Sequence, residues 1–116
     1  MKLSIYEFKN LRRVYAIAEM EEYDPKILNV LMDLKEEELS RLVSKAFGSC
    51  RVLKYGRGAY VSDTRVEFMY LEVELEDYSM YIVEVYPKAI TMIADTSFSD
   101  IQDKLRRLIQ ECERLS

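Results

Sequence analysis

The second half of the chain carries three short apolar runs in succession and then one long amphipathic run, and this arrangement restricts the fold more than any other feature. From Arg65 to Leu75 the chain is rich in Val, Phe, Tyr and Leu. Val66, Phe68 and Tyr70 share one face of an extended chain, while Leu71, Val73 and Leu75 occupy the other. Such a switch suggests a bulge near Tyr70 or a strand buried in part on both sides. Glu76-Asp77 makes a short turn. In the next run, Tyr78 to Tyr86, the residues Tyr81, Val83 and Val85 alternate with Met80 and Ile82. Pro87-Lys88 turns the chain again, and Ala89 to Ala94 reads as a third strand. Connections this short join antiparallel neighbours. From Asp95 to Ser116 the period lengthens: Ile101, Leu105, Leu108, Ile109, Cys112 and Leu115 line one helix face, and charged residues cover the rest. Ser99 with Gln102 fits a capping box, and Ser97 is a second candidate cap.

Residues 35–47 predict another amphipathic helix, with Leu39, Leu42, Val43, Ala46 and Phe47 as its stripe. Asp33 with Glu36 resembles a cap pair, and Gly48 is a natural stop. Gly56-Arg57-Gly58 reads as a turn or loop tip between short extended segments. The first 34 residues admit two readings. In one, residues 4–10 are a short helix, 12–20 and 26–33 are the strands of a hairpin, and the stretch EEYDP turns between them. In the other, Asp24-Pro25 starts a helix that continues the stripe of Leu28, Leu31 and Met32 into residues 35–47. The hairpin reading gives the later strands a larger sheet and the helices a place to pack. The expected fold is therefore a two-layer α/β protein of the α+β kind. It has an antiparallel sheet of about five strands, helices packed on the sheet, and the order α-β-β-α-β-β-β-α. The alternative is two N-terminal helices, a β-meander and a C-terminal helix.

A chain of 116 residues is one domain's length. It buries roughly two thirds of its unfolded surface, enough for a core without metal or disulfide staples. The net charge is −4 and the pI about 5.0, which disfavours non-specific nucleic-acid binding. Lys9, Arg12 and Arg13 form one local cluster of positive charge, and Arg51, Lys54, Arg57 and Arg65 form a second, the candidate basic patch. The opening MKLSIYEFKNLRR lacks the apolar core of a signal peptide. No apolar run approaches the ~20 residues of a transmembrane helix. A cytoplasmic protein without membrane contact is expected. Asn and Gln total only four among many charges, a tendency of hyperthermophile proteins that points to a thermophilic, archaeal or viral source.

The chain has no His and two cysteines, Cys50 and Cys112, without metal-ligand spacing. A zinc site is therefore not expected, and Ser and Cys nucleophiles have no His partner. Glu36, Glu37 and Glu38 fall on an exposed helix face. No phosphate-loop pattern surrounds Gly56-Arg57-Gly58. Tyr70, Tyr78, Tyr81 and Tyr86 are interleaved with Glu72, Glu74 and Glu84, which suits packing or an interface better than stacking on nucleic-acid bases. The expectation is a protein without catalytic residues, cofactor or metal.

Three segments together resemble the roadblock (dynein light chain) family of profilin-like sandwiches: LRRVYAIAEMEEYDPKILNVL, LSRLVSKAF and YLEVELEDYSMYIVEVYPKAITMIAD, closed by SDIQDKLRRLIQEC. Family members often carry Gly before the first strand and at the tip of the first hairpin, where this chain has Asn10 or Leu11 and Tyr23-Asp24-Pro25. The resemblance implies a homodimeric scaffold or regulator and, for some members, a small Ras-like GTPase as partner. The dimer is expected to place strand 65–75 at or near an edge with helix 35–47 beside it, using Val43, Phe47, Phe68 and Tyr70. The alternatives are a monomer whose segment 49–63 covers that edge, and an accessory or viral protein that binds nucleic acid through the second basic cluster.

Overall fold

The computed structural model describes residues 2–10, 13–95 and 98–115, with side chains for all of these except 8–10, 13, 14 and 98. The elements are β1 (Lys2–Asn10), β2 (Arg13–Glu21), α1 (Lys26–Asp33), α2 (Glu36–Phe47), β3 (Cys50–Val61), β4 (Arg65–Leu75), β5 (Met80–Val85), β6 (Ala89–Ala94) and α3 (Phe98–Leu115). The strands form one antiparallel sheet in the order β1-β2-β6-β5-β4-β3. The last strand thus docks against the first hairpin, and β1 and β3 are the free edges.

Alternation decides which residues meet the helices. Ala16, Ala18 and Met20 of β2, Met92 and Ala94 of β6, Tyr81 and Val83 of β5, and Leu71 and Val73 of β4 are all 5% exposed or less. Helix α3 lies on β2 and β6, where Ala16 pairs with Ala94 and the small side chains admit its bulky face. That face is Ile101, Leu105, Leu108, Ile109 and Cys112, all buried as the periodicity requires. Helix α2 buries Leu39, Leu42, Val43, Ala46 and Phe47, and Phe47 meets Tyr81 edge-on with ring centroids 5.2 Å apart. Gly48, at φ 83°, stops α2 and donates its N–H to the Ser44 carbonyl at 2.9 Å.

The α+β class and the closing meander with its helix agree with expectation, but the order is β-β-α-α-β-β-β-β-α and the sheet has six strands. Residues 4–10 belong to β1, not to a helix. Residues 26–33 are α1, not a strand: Asp24 Oδ1 accepts the Lys26 N–H at 3.0 Å, and Ile27, Leu28 and Leu31 turn inward together. Leu34 is extended (ψ 139°), so α1 does not run on into α2. The start of α2 is organised by Glu38, whose Oε1 accepts the Lys35 N–H at 3.2 Å, and not by Asp33 with Glu36. Gly56-Arg57-Gly58 is no turn; it lies within β3, which covers β4 along its whole length. Strand β4 alternates regularly without a bulge at Tyr70, and the irregularity falls instead between Val52 and Lys54. Ser99 lies inside α3, and the other candidate cap, Ser97, lies outside the described residues.

Candidate functional site

Two surfaces follow from this architecture: the free edge at β3 and the sheet face opposite the helices. Strand β3 presents one long side to solvent, with Leu53, Tyr55, Tyr60 and Val61 exposed. The bulge at Leu53 bends its first half, while Lys54 to Val61 pairs with β4 in regular register. Between this edge and α2 runs a groove of about 530 Å³, lined by Glu36, Leu39, Ser40 and Ser44 of the helix and by residues 50–55 of the strand. Ser40 and Ser44, one helical turn apart, are short enough to leave it open.

The opposite face carries an aromatic shelf. Gly56 pairs with Tyr70 and Gly58 with Phe68. A Cβ at either glycine would come within 2.5 Å of the facing ring, so glycine is what lets those rings lie flat across β3. Phe68 in turn stacks on Tyr86 with centroids 5.1 Å apart, and Tyr60 tilts against both. Lys54 Nζ sits 5.7 Å from the centre of the Tyr70 ring. The Tyr86 hydroxyl donates to Glu84. That bond, with burial added, pushes the phenol up to about 12.

The expected interface residues do not share a surface. Val43 and Phe47 are 0% and 3% exposed in the core, because α3 and the sheet together cover the apolar stripe of α2. Phe68 and Tyr70 sit on the open face, on the other side of the sheet. Strand β4 lies one place in from the edge, as the covering role of segment 49–63 had allowed. The basic cluster is also divided. Arg51 pairs with Glu74 at 2.8 Å, and Lys54 stands opposite Glu72. Arg57 projects to the helix side and donates to the Met32 carbonyl in the last turn of α1, and Arg65 pairs with Glu67 at 3.4 Å. The side chains of Lys9 and Arg13, and the whole of Arg12, lie outside the described residues.

The thiols are free. Burial pushes Cys112 up to about 12 and raises Cys50 more modestly, so both stay protonated near neutral pH. Tyr23, also raised to about 12 by burial, donates its hydroxyl to the Tyr86 carbonyl and ties the end of the first hairpin to the β5–β6 turn. Among the described residues no group of His, Cys, Asp or Glu is arranged to hold a metal ion, and no helix is long and apolar enough to cross a membrane.

Sequence reasoning missed the groove residues Ser40, Ser44, Leu53 and Tyr55, and the open-face residues Ile17, Ile82 and Ile93. A signal for the latter was present: β5 and β6 are apolar at both parities, which one covered face does not require. No protein-family model and no curated protein matches this chain.

Proposed function

We propose that the chain is a non-catalytic scaffold or regulator that acts as a homodimer in the cytoplasm, joined by antiparallel pairing of the β3 edges of two copies. The observation that supports this reading is the regular stretch from Lys54 to Val61 at a free edge, flanked by an open groove and carrying exposed Tyr55, Tyr60 and Val61. Along such an edge every second N–H and C=O points to solvent, and a closed two-fold pairing satisfies them without open-ended assembly. With the axis at Gly56, Lys54 of one copy faces Gly58 of the other and Tyr55 faces Arg57, so like charges do not meet. The interface therefore differs from one built on Val43 and Phe47, which are core residues.

The resemblance to the roadblock family adds a small Ras-like GTPase as the partner class. That resemblance rests on the order α-β-β-α-β-β-β-α, whereas the chain runs β-β-α-α-β-β-β-β-α and residues 26–33 of its first segment are helical. Binding assays with purified small GTPases in both nucleotide states test this part, and no binding in either state removes it. Nucleic-acid binding through Arg51, Lys54, Arg57 and Arg65 draws no support from residues that point to two faces and pair with Glu74 and Glu67. Light scattering tests the dimer: twice 13.7 kDa is expected, with Ser40→Arg, which fills the groove, and Tyr55→Lys, which charges the edge, each returning the mass to 13.7 kDa. A wild-type mass of 13.7 kDa at micromolar concentration sinks the reading.

A further inference from the structure

An antiparallel sheet that shows one face to water ordinarily lines that face with polar residues. Here, three adjacent central strands place isoleucines at the same level: Ile17 of β2 pairs with Ile93 of β6, which pairs with Ile82 of β5. Tyr6 of β1, paired with Ile17, extends the row. Ile82 is 38% exposed and Tyr6 45%, while Ile17 and Ile93 between them are half-buried.

The next row along the strands reads Glu19, Thr91, Glu84. At one strand spacing per step, the two carboxylates stand about 10 Å apart on either side of the threonine. Each is held in place by a tyrosine: the Tyr6 hydroxyl donates to Glu19 Oε1 at 3.2 Å, and the Tyr86 hydroxyl donates to Glu84. Neither meets a Lys or Arg at salt-bridge distance among the described residues, whereas Glu74 on the same face does.

We propose that this face is the docking surface for a basic amphipathic helix of a partner protein. Its apolar stripe would lie on Ile17, Ile93 and Ile82, and its Lys or Arg side chains would meet Glu19 and Glu84. Charge selects the occupant. A second copy laid face to face would bring carboxylates against carboxylates, and an anionic lipid surface or nucleic acid would meet the same repulsion. The form of the partner follows from what is on offer. The backbone groups of β2, β6 and β5 are paired on both sides, so only side chains are available. A helix, rising 1.5 Å per residue, sets residues seven apart about 10 Å from each other, which matches the two carboxylates. The inference uses the sheet face and not the β3 edge, so it stands or falls apart from the dimer.

The test uses an eighteen-residue helix-forming peptide with a leucine stripe, two lysines seven residues apart beside it, and one Trp. The protein has no Trp, so the fluorescence reports the peptide alone. Saturable binding is expected, with methyl NMR shifts at Ile17, Ile82 and Ile93. A twin peptide with Glu for both lysines should bind at least tenfold more weakly. Ile82→Lys, and separately the pair Glu19→Gln with Glu84→Gln, should each weaken binding of the basic peptide at least tenfold. Equal binding of the acidic twin, shifts confined to the helices or the β3 edge, or unchanged affinity in Ile82→Lys would overturn the proposal. So would a mass halved by Ile82→Lys, since the occupant would then be a second copy.

Discussion

The two faces of the sheet are made from the same strands, residue by alternate residue, yet only one is finished. On the covered face, Ala18, Val73, Val83 and Met92 are at most 1% exposed, sealed under α1, α2 and α3. On the open face, side chains of the same chemical kind, Ile82 and Tyr6, keep 38% and 45% of their surface in water. Burial on the first face accounts for the stability of the fold, whereas apolar surface left on the second contributes little to it. An aliphatic row across three strands, with Ile82 exposed and Ile17 and Ile93 only half-buried, is more than folding requires.

Substitutions can break this contrast. The largest expected effect is on the covered face: Leu105→Ala, at a position 0% exposed, should cost about 2–5 kcal/mol in urea unfolding. A loss below ~1 kcal/mol would mean that α3 does not seal the sheet.

Alkaline unfolding sharpens the contrast. Burial raises Cys112 from 9.0 to about 12, so the folded state holds a proton that the unfolded state releases. That contribution is whole below pH 9 and declines as the pH climbs toward 12. Tyr23 and Tyr86 act in the same direction from 10.0 upward. Cys112→Ala should flatten the onset of the decline above pH 9; an onset unmoved by the substitution would contradict the burial of the thiol.

The smallest effect belongs to the open face. Ile82→Thr, at a 38% exposed strand position, should change stability by no more than about 0.5 kcal/mol. A cost of several times that would show that something already covers the face.

Legibility in the sequence followed how local each determinant was. Strand β6 was readable as a short apolar run set off by the Pro87-Lys88 turn, and the buried stripe of α3 because period 3.6 runs long there. Residues 26–33 were not, because Leu28, Val30 and Met32 fit a strand while Ile27, Leu28 and Leu31 fit a helix, and eight residues do not decide between them. The Asp24 side chain, which accepts the Lys26 N–H ahead of the helix, and the burial of Ile27, Leu28 and Leu31 on one face decided it. In β3 the glycines signalled a turn, whereas their actual role is set by Phe68 and Tyr70 on the neighbouring strand, a relation no local window contains. The basic cluster failed for a related reason. Arg51 and Lys54 reach the open face across the bulge at Leu53, and ordinary alternation then sends Arg57 to the other side.

Amide hydrogen exchange along Lys54 to Val61 separates a β3 edge closed by a second copy from an open one. In a lone chain, alternate amides of this stretch bond to β4 and the others face water. Protection would then alternate, with every second amide exchanging fast. In the dimer, exchange is slow at consecutive amides at micromolar concentration and turns to alternation on dilution or in Ser40→Arg. Alternation at every concentration would contradict the dimer.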